Sequence, residues 1–377
     1  MTTTPRSGHI VWLDVLRFVA IFMVIICHCT DPFNISPAAK DNPDFGFWGA
    51  FYGAMLRPCV PLFVMITGLL LLPVQQSMTT FYKKRIIRVA VPFLIWSVIY
   101  NLFPWLIQTF GGTPHLVNDF FAYAGNASGS LSSALRNIAL IPVNFSIYTT
   151  HLWYIYLLIG LYLYLPVFSA WVEKASEKAK LFFLILWGVT LFLPYAERFL
   201  SPYLWGSCAW NAFGMLYTFA GFNGYLLLGH YLYRNNHLSR RNTLLIAIPL
   251  FAAGYLFTFF GFRAMTAHPG IPETDLELFF TYCSFNVVMM TVAVFITVQK
   301  IRISSPFLQK RLANLTKCGL GIYLIHYLLV GPYYLLAEYI NIPLPVRIPF
   351  SAILVFFTAW GIVTLIYRLP KARWIVG

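Results

Sequence analysis

Charge is what this chain has least of. Asp, Glu, Lys and Arg make up 10% of its 377 residues, against about 25% in a soluble domain. A soluble globule would have too little polar surface, and a disordered chain needs low hydrophobicity, so both classes are excluded. The sequence also lacks any CxxC pair and any cysteine–histidine spacing suited to a metal. No metal and no disulfide framework are expected. The six cysteines, Cys27, Cys29, Cys59, Cys208, Cys283 and Cys318, read as small apolar packing residues. Long polar stretches are missing too, and no loop is large enough to hold a soluble domain.

What is present is apolar: 59% hydrophobic and 18% aromatic residues, with a mean hydropathy of +0.71. That is a polytopic membrane protein. A spanning helix needs roughly 20 mostly apolar residues, and ten windows qualify: 10–30, 47–73, 87–110, 151–171, 180–196, 211–233, 243–262, 278–299, 315–336 and 346–367. The fold expected is therefore an all-α membrane bundle of about ten helices forming one membrane-embedded domain over 1–377. Residues 111–150 are too polar and Gly/Ser-rich to span, and read as a long loop with an interfacial helix from Ser130 to Ala139. The N-terminal apolar stretch is not a cleaved signal. Asp14 and Arg17 interrupt it, and no small-x-small site follows.

The net charge of +14 does not imply nucleic acid, because the basic residues sit in short loops between apolar runs. With the N-terminus in the cytoplasm, most Lys and Arg fall on the cytoplasmic side, from Arg6 through Lys83, Lys84, Arg85 and Arg88 to Arg368, Lys371 and Arg373. Asp31, Asp41, Asp44, Asp119, Glu197, Glu273, Asp275, Glu277 and Glu338, with Lys40 among few cations, fall on the other side. Both termini are then cytoplasmic.

Ionisable residues inside spans are costly and mark functional candidates. The first helix carries Asp14, Arg17 and His28. At about 100° per residue they share one stripe, with Arg17 and His28 roughly 16 Å apart along the axis. Asp14 and Arg17 are spaced to pair at i, i+3. The second window holds Arg57 beside Pro58 and Pro61, which free backbone carbonyls in the membrane. Lys84, Arg85 and Arg88 enter the third helix from the cytoplasm; two guanidinium forks one turn apart suit a phosphate or pyrophosphate, and equally serve as topology anchors. His151 opens the fourth helix beside Trp153 and Tyr154, and His326 lies near the middle of the ninth. Either histidine also fits a plain structural role. His230 reads as structural. A cationic cytoplasmic mouth, a polar stripe and a histidine toward the far side suit transfer of an activated group from a cytosolic carrier to an outside acceptor, with histidine as general base. A transporter or flippase of a polysaccharide intermediate shares the intramembrane charges but needs no cofactor at the paired arginines. A non-catalytic scaffold needs no aligned stripe.

These motifs resemble those of the acyltransferase-3 family of integral membrane acyltransferases, over nearly the whole chain. The family's Arg-x10-His is met by Arg17 and His28. Its R-x-x-VP-x-FFM-[ST]-G segment is met by Arg57, Val60, Pro61, Phe63, Met65, Thr67 and Gly68, with Thr67 in place of the commoner Ser. Its R-x-x-R is met by Arg85 and Arg88, its HLW by His151, Leu152 and Trp153, and its late G-IY-x-x-H by Gly321, Ile322, Tyr323 and His326. The closest likeness is to stand-alone surface-polysaccharide O-acetyltransferases, and no appended soluble esterase domain is expected.

The resemblance implies an O-acyltransferase acting on a glycan. Acetyl-CoA, or another acyl-CoA, is the implied donor substrate, with no tightly bound cofactor. Arg85 and Arg88, helped by Lys84, would hold its phosphates. His28 would deprotonate the acceptor hydroxyl for direct attack, with transient acylation of a protein group as the alternative. Arg17 would position the thioester or stabilise the oxyanion, and Asp14 would orient Arg17. Arg57, His151, Trp153, Tyr323 and His326 fall on the acceptor side. The implied partners are acyl-CoA, a glycan or lipid-linked glycan, and membrane lipid, with homo-oligomerisation open. The implied location is the bacterial cytoplasmic (inner) membrane.

Overall fold

Serine and proline mark where the helices begin. The side chains of Ser77, Ser130, Ser176, Ser239 and Ser305 each accept a backbone N–H of the first turn that follows, which satisfies donors a helix start leaves open. Pro43, Pro114, Pro194 and Pro306 occupy the first turns of their helices, where a missing N–H costs nothing.

The computed structural model describes residues 10–35, 42–121, 129–201, 203–211, 214–267, 275 and 277–377. Arg6, Lys40, Asp41 and Glu273 of the charge reading, and residues 122–128 of the long loop, lie outside the described residues. In chain order the helices are α1 (Val11–Cys29), α2 (Asp31–Ile35), α3 (Pro43–Met55), α4 (Cys59–Leu71), α5 (Met78–Thr109), α6 (Pro114–Phe120), α7 (Leu131–Leu140), α8 (Trp153–Lys174), α9 (Glu177–Thr190), α10 (Leu193–Phe199), α11 (Asn223–Asn235), α12 (Arg240–Thr266), α13 (Phe285–Val298), α14 (Pro306–Ile325), α15 (Tyr327–Tyr339), α16 (Leu344–Ile366) and α17 (Arg373–Val376). A 3₁₀ turn over Ile147–Leu152 leads into α8, and another covers Gly214–Phe219. Among the described residues there is no β-strand.

The all-α membrane bundle is therefore observed. Among the described residues, eight segments are long and apolar enough to cross a membrane, and nine when α14 and α15, bent by 76° at His326, count as one. The sixth expected span, 211–233, is where the structure differs. Gly214 and Gly221 both sit at positive φ, at 54° and 93°, a conformation only glycine adopts freely. They break the run into a 3₁₀ turn and the 13-residue α11. The interfacial segment expected at Ser130–Ala139 is the helix α7, capped by Ser130.

α1 is central, packed against α4, α14, α15 and α16. α4 and α11 approach closely enough that only glycine fits at two crossing points. A Cβ on Gly68 would stand 1.9 Å from the Leu226 carbonyl oxygen, and one on Gly229 would stand 2.2 Å from that of Met65. Small residues permit this close backbone approach in membranes, which is the physical content of Gly68 in the Thr67–Gly68 pair. Four breaks in helical backbone gather beside the end of α1: the α3–α4 corner at Arg57, the 3₁₀ turn holding His151, the bend at His326, and the end of α1 itself at His28 and Cys29. Irregular backbone at membrane depth is tolerated where it lines an internal cavity.

Candidate functional site

The inward stripe of α1 runs Asp14, Arg17, Ile21, Val24 and His28, at alternating spacings of three and four, and it forms one wall of two cavities. The spacing is that of a single helical face.

The wider cavity, about 710 Å³, is lined by Asp14, Arg17 and Ile21 of α1, by Thr67, by Arg85 and Arg88, by Tyr162, and by Thr316 and Lys317 of α14. Asp14 is buried, accepts from Arg17 Nη1 at 3.1 Å and from Thr316 Oγ1 at 2.8 Å, and so anchors the guanidinium at the cavity wall. Arg85 and Arg88 both line this cavity, as their i, i+3 spacing suggested. Lys84 does not: it is exposed and outside the lining. Lys317, a cation that sequence reasoning treated only as a topology marker, takes that place. Its Nζ lies 4.1 Å from the Tyr367 ring centroid, within cation–π range.

The narrower chamber, about 40 Å³, is lined by Val24, Cys27, His28, Cys59, Val60, Phe63, His151, Trp153, Tyr154, Tyr282 and Tyr323. Phe63, Tyr154 and Tyr323 border both cavities, forming an aromatic waist between them. The ring centroids of Phe63 and Tyr154 are 6.1 Å apart, and those of Tyr154 and Tyr323 are 6.2 Å apart.

Three histidines from distant parts of the chain cluster here, His28 and His151 in the chamber lining and His326 packed against both. Ring centroids are separated by 5.2 Å for His28 and His326, 5.6 Å for His151 and His326, and 6.3 Å for His28 and His151. His28 Nδ1 lies 3.0 Å from Asp31 Oδ2. A carboxylate accepts only, so Nδ1 carries the proton there, and in the neutral ring Nε2 is then the nitrogen with the lone pair. The same argument applies to His326, whose Nδ1 donates to the Tyr323 carbonyl oxygen at 2.6 Å. Its Nε2 is buried and has no partner among the described residues. His151 is 2% exposed, and among the described residues neither of its ring nitrogens has a partner. Its ring stacks on Tyr327 at 4.5 Å, and its backbone carbonyl accepts the Tyr323 hydroxyl. Unpartnered buried nitrogens are rare in native proteins and call for an occupant or a chemical role. Among the described residues, no group of His, Cys, Asp and Glu is arranged to hold a metal ion.

Arg57 stands behind the chamber lining, against Cys27 and Tyr282. Its Nε donates to the Gly53 carbonyl at 2.9 Å, and Nη2 donates to Cys27 Sγ at 3.1 Å. Its guanidinium carbon lies 4.2 Å from the Phe280 ring centroid. Trp153 stacks on Tyr282 at 5.6 Å, so it supports the wall from behind as well as lining it.

Of the expected site residues, the structure places His28, His151, Trp153 and Tyr323 in the chamber lining, with Arg57 and His326 packed against that lining, and Asp14, Arg17, Arg85 and Arg88 together at the wide cavity. Sequence reasoning missed Asp31, Tyr327, Tyr282, Cys27 and Cys59. Asp31 had a legible signal: it lies three residues after His28, within pairing reach once the helix turns on. The others are contributed by packing alone.

Fold and cavities together define a polytopic helical membrane protein with a charged cavity that narrows to a histidine cluster inside the bundle. Residues 10–367 match the family model described as the acyltransferase domain of the acyltransferase-3 type, and the chain belongs to that family. It is an integral membrane acyltransferase. No curated protein and no solved structure matches it.

Proposed function

We propose that the protein is an O-acetyltransferase of the bacterial cytoplasmic membrane, moving an acetyl group from cytosolic acetyl-CoA to a hydroxyl of a cell-surface glycan or its lipid-linked precursor. The observation that carries the reading is the single wall of α1, which connects a cavity holding Arg17, Arg85, Arg88 and Lys317 to the chamber holding His28. Both termini and the wide cavity face the cytoplasm in this reading, with 214–235 crossing as a broken segment. Arg85 and Arg88 bind the donor's phosphates through their planar forks, with Lys317 in the part first given to Lys84. The acyl end passes the Phe63–Tyr154–Tyr323 waist toward His28.

His28 is the general base. Its Nε2 takes the proton of the acceptor hydroxyl as the oxygen attacks the acyl carbonyl. The proton then goes to the departing sulfur as the carbon–sulfur bond breaks. Asp31 holds the ring in the tautomer this requires and stabilises the imidazolium that forms. Arg17 lies about 16 Å from His28 along α1 and is tied to Asp14, so it serves the donor rather than the oxyanion. Arg57, His151 and His326 face the acceptor side. A flippase needs a path for a whole sugar, and the 40 Å³ chamber is not one.

Purified protein in detergent, incubated with radiolabelled acetyl-CoA and glycan acceptors, tests this. Saturable binding to wild type and to His28→Ala is expected, with acceptor-dependent loss of thioester in wild type only. No acyl-CoA binding by a folded sample would overturn the donor assignment. Preference for succinyl-CoA would overturn the acetyl assignment.

A further inference from the structure

Cys27 was read from sequence as a packing residue, but its surroundings are those of a reactive sulfur. It is next to His28 in the chain and lines the same chamber, together with Cys59. Arg57 donates to its sulfur at 3.1 Å, and among the described residues no carboxylate forms an ion pair with Arg57. A guanidinium held inside the bundle, with a backbone carbonyl and a thiol as its acceptors, favours the thiolate. His151, buried with both ring nitrogens unpartnered among the described residues, faces the same space. The volume matters as well. At about 40 Å³ the chamber has room for an acetyl-sized group of about three heavy atoms, since a single water needs ~10–15 Å³ by the same measure. It does not hold a pantetheine end and a sugar together.

We infer that Cys27 is a transient acyl carrier, so that donor and acceptor use the chamber in turn. The inference rests on the acyltransferase reading above. In the first half-reaction, Cys27 Sγ attacks the acetyl carbonyl carbon. The Sγ–C bond forms, the bond from that carbon to the CoA sulfur breaks, and the thiol proton ends on the departing CoA. One thioester replaces another, so no oxidant or further reactant is needed. Arg57 stabilises the attacking thiolate. In the second, the acceptor hydroxyl attacks the acetyl-Cys27 carbonyl. The O–C bond forms, the Sγ–C bond breaks, and His28 carries the hydroxyl proton to Cys27 Sγ.

Two readouts test this without an identified acceptor. The folded protein is incubated with acetyl-CoA labelled in the acetyl group, denatured and mapped by peptide mass spectrometry. In parallel, exchange of labelled CoA into unlabelled acetyl-CoA is followed. Wild type is expected to carry a neutral-hydroxylamine-labile acetyl group on Cys27 and to catalyse exchange. Cys27→Ala and the near-isosteric Cys27→Ser are expected to keep saturable acetyl-CoA binding, which shows that they are folded, and to lose exchange by at least about 100-fold, the lower end for losing a catalytic group. Cys208→Ser, remote from the chamber, keeps the label. Undiminished exchange in either Cys27 variant, or a wild type that binds acetyl-CoA but neither exchanges nor labels, overturns the carrier role and leaves the acyltransferase reading standing. Absence of acetyl-CoA binding in wild type overturns both.

Discussion

The two cavities differ in ways that follow from what each must hold. The wide one is about 710 Å³ and has Arg17, Arg85, Arg88 and Lys317 in its lining. The narrow one is about 40 Å³, and its polar lining is imidazole, thiol, phenol and indole. A phosphate-bearing molecule needs fixed positive charge and room. A proton transfer needs groups that gain and lose protons near neutrality, in a space that keeps water out. One helix supplies the first contact to both, and three aromatic rings separate them. Binding and chemistry are thus assigned to different residues, and mutations are expected to split them.

The largest expected effect is at the narrow end. Replacing His28 with Ala removes the base and is expected to lower kcat by about 10²–10⁴-fold, while acetyl-CoA binding measured on the same sample stays intact. Residual activity within tenfold of wild type would remove His28 from the chemistry. The double change Arg85→Ala with Arg88→Ala belongs to the wide end. Hydrogen bonds to charged groups are worth about 1.5–3 kcal/mol, so KM for acetyl-CoA is expected to rise by ten- to more than a hundredfold, with kcat little changed. A fall in kcat alone would erase the division between the cavities. Arg17→Lys keeps the charge but loses the fork that Asp14 aligns. A loss of about tenfold in kcat/KM, or ~1.4 kcal/mol, is expected, and a wild-type value would reduce Arg17 to a simple cation. The smallest effect is at Lys84. It is exposed and outside the cavity, so Lys84→Ala is expected to change KM by less than about twofold, in keeping with the small worth of surface charges. A shift as large as that of the arginine pair would return it to the donor site.

How much was legible in advance differs between the two cavities for a physical reason. The wide cavity is built largely from local spacings. Asp14 to Arg17 and Arg85 to Arg88 are each three residues apart on one helix, and helical periodicity alone puts each pair on a common face. Lys84 lies about 40° from Arg88 on the same helical wheel, so periodicity alone could not show that its side chain is exposed and outside the cavity lining. The narrow chamber joins α1, the start of α4, the His151 turn, Tyr282 and Tyr323, which are far apart in the chain. Each histidine by itself fitted a structural role about as well as a functional one. Cys27 was read as packing because a thiol's chemistry depends on its neighbours, and Arg57 is thirty residues away.

The span at 211–233 teaches the same lesson at the level of the fold. Its composition is apolar enough to cross, and hydropathy cannot register that Gly214 and Gly221 adopt positive φ. The bend at His326 was invisible for a similar reason: the backbone there stays close to helical values, with φ −56° and ψ −34°.

By itself the sequence determined the membrane class, the helical character, the approximate limits of nine spans and the polar stripe on α1. All of these follow from burial of apolar side chains and from the 3.6-residue repeat, which act locally along the chain. Only the tertiary structure decided that His28, His151 and His326 form one cluster, that Asp31 holds His28, that Lys317 rather than Lys84 reaches the wide cavity, and that Arg57 faces Cys27. Those are contacts between segments distant in sequence. They are set by which backbones can approach, as at Gly68 and Gly229, and by where helices break so that their side chains turn inward.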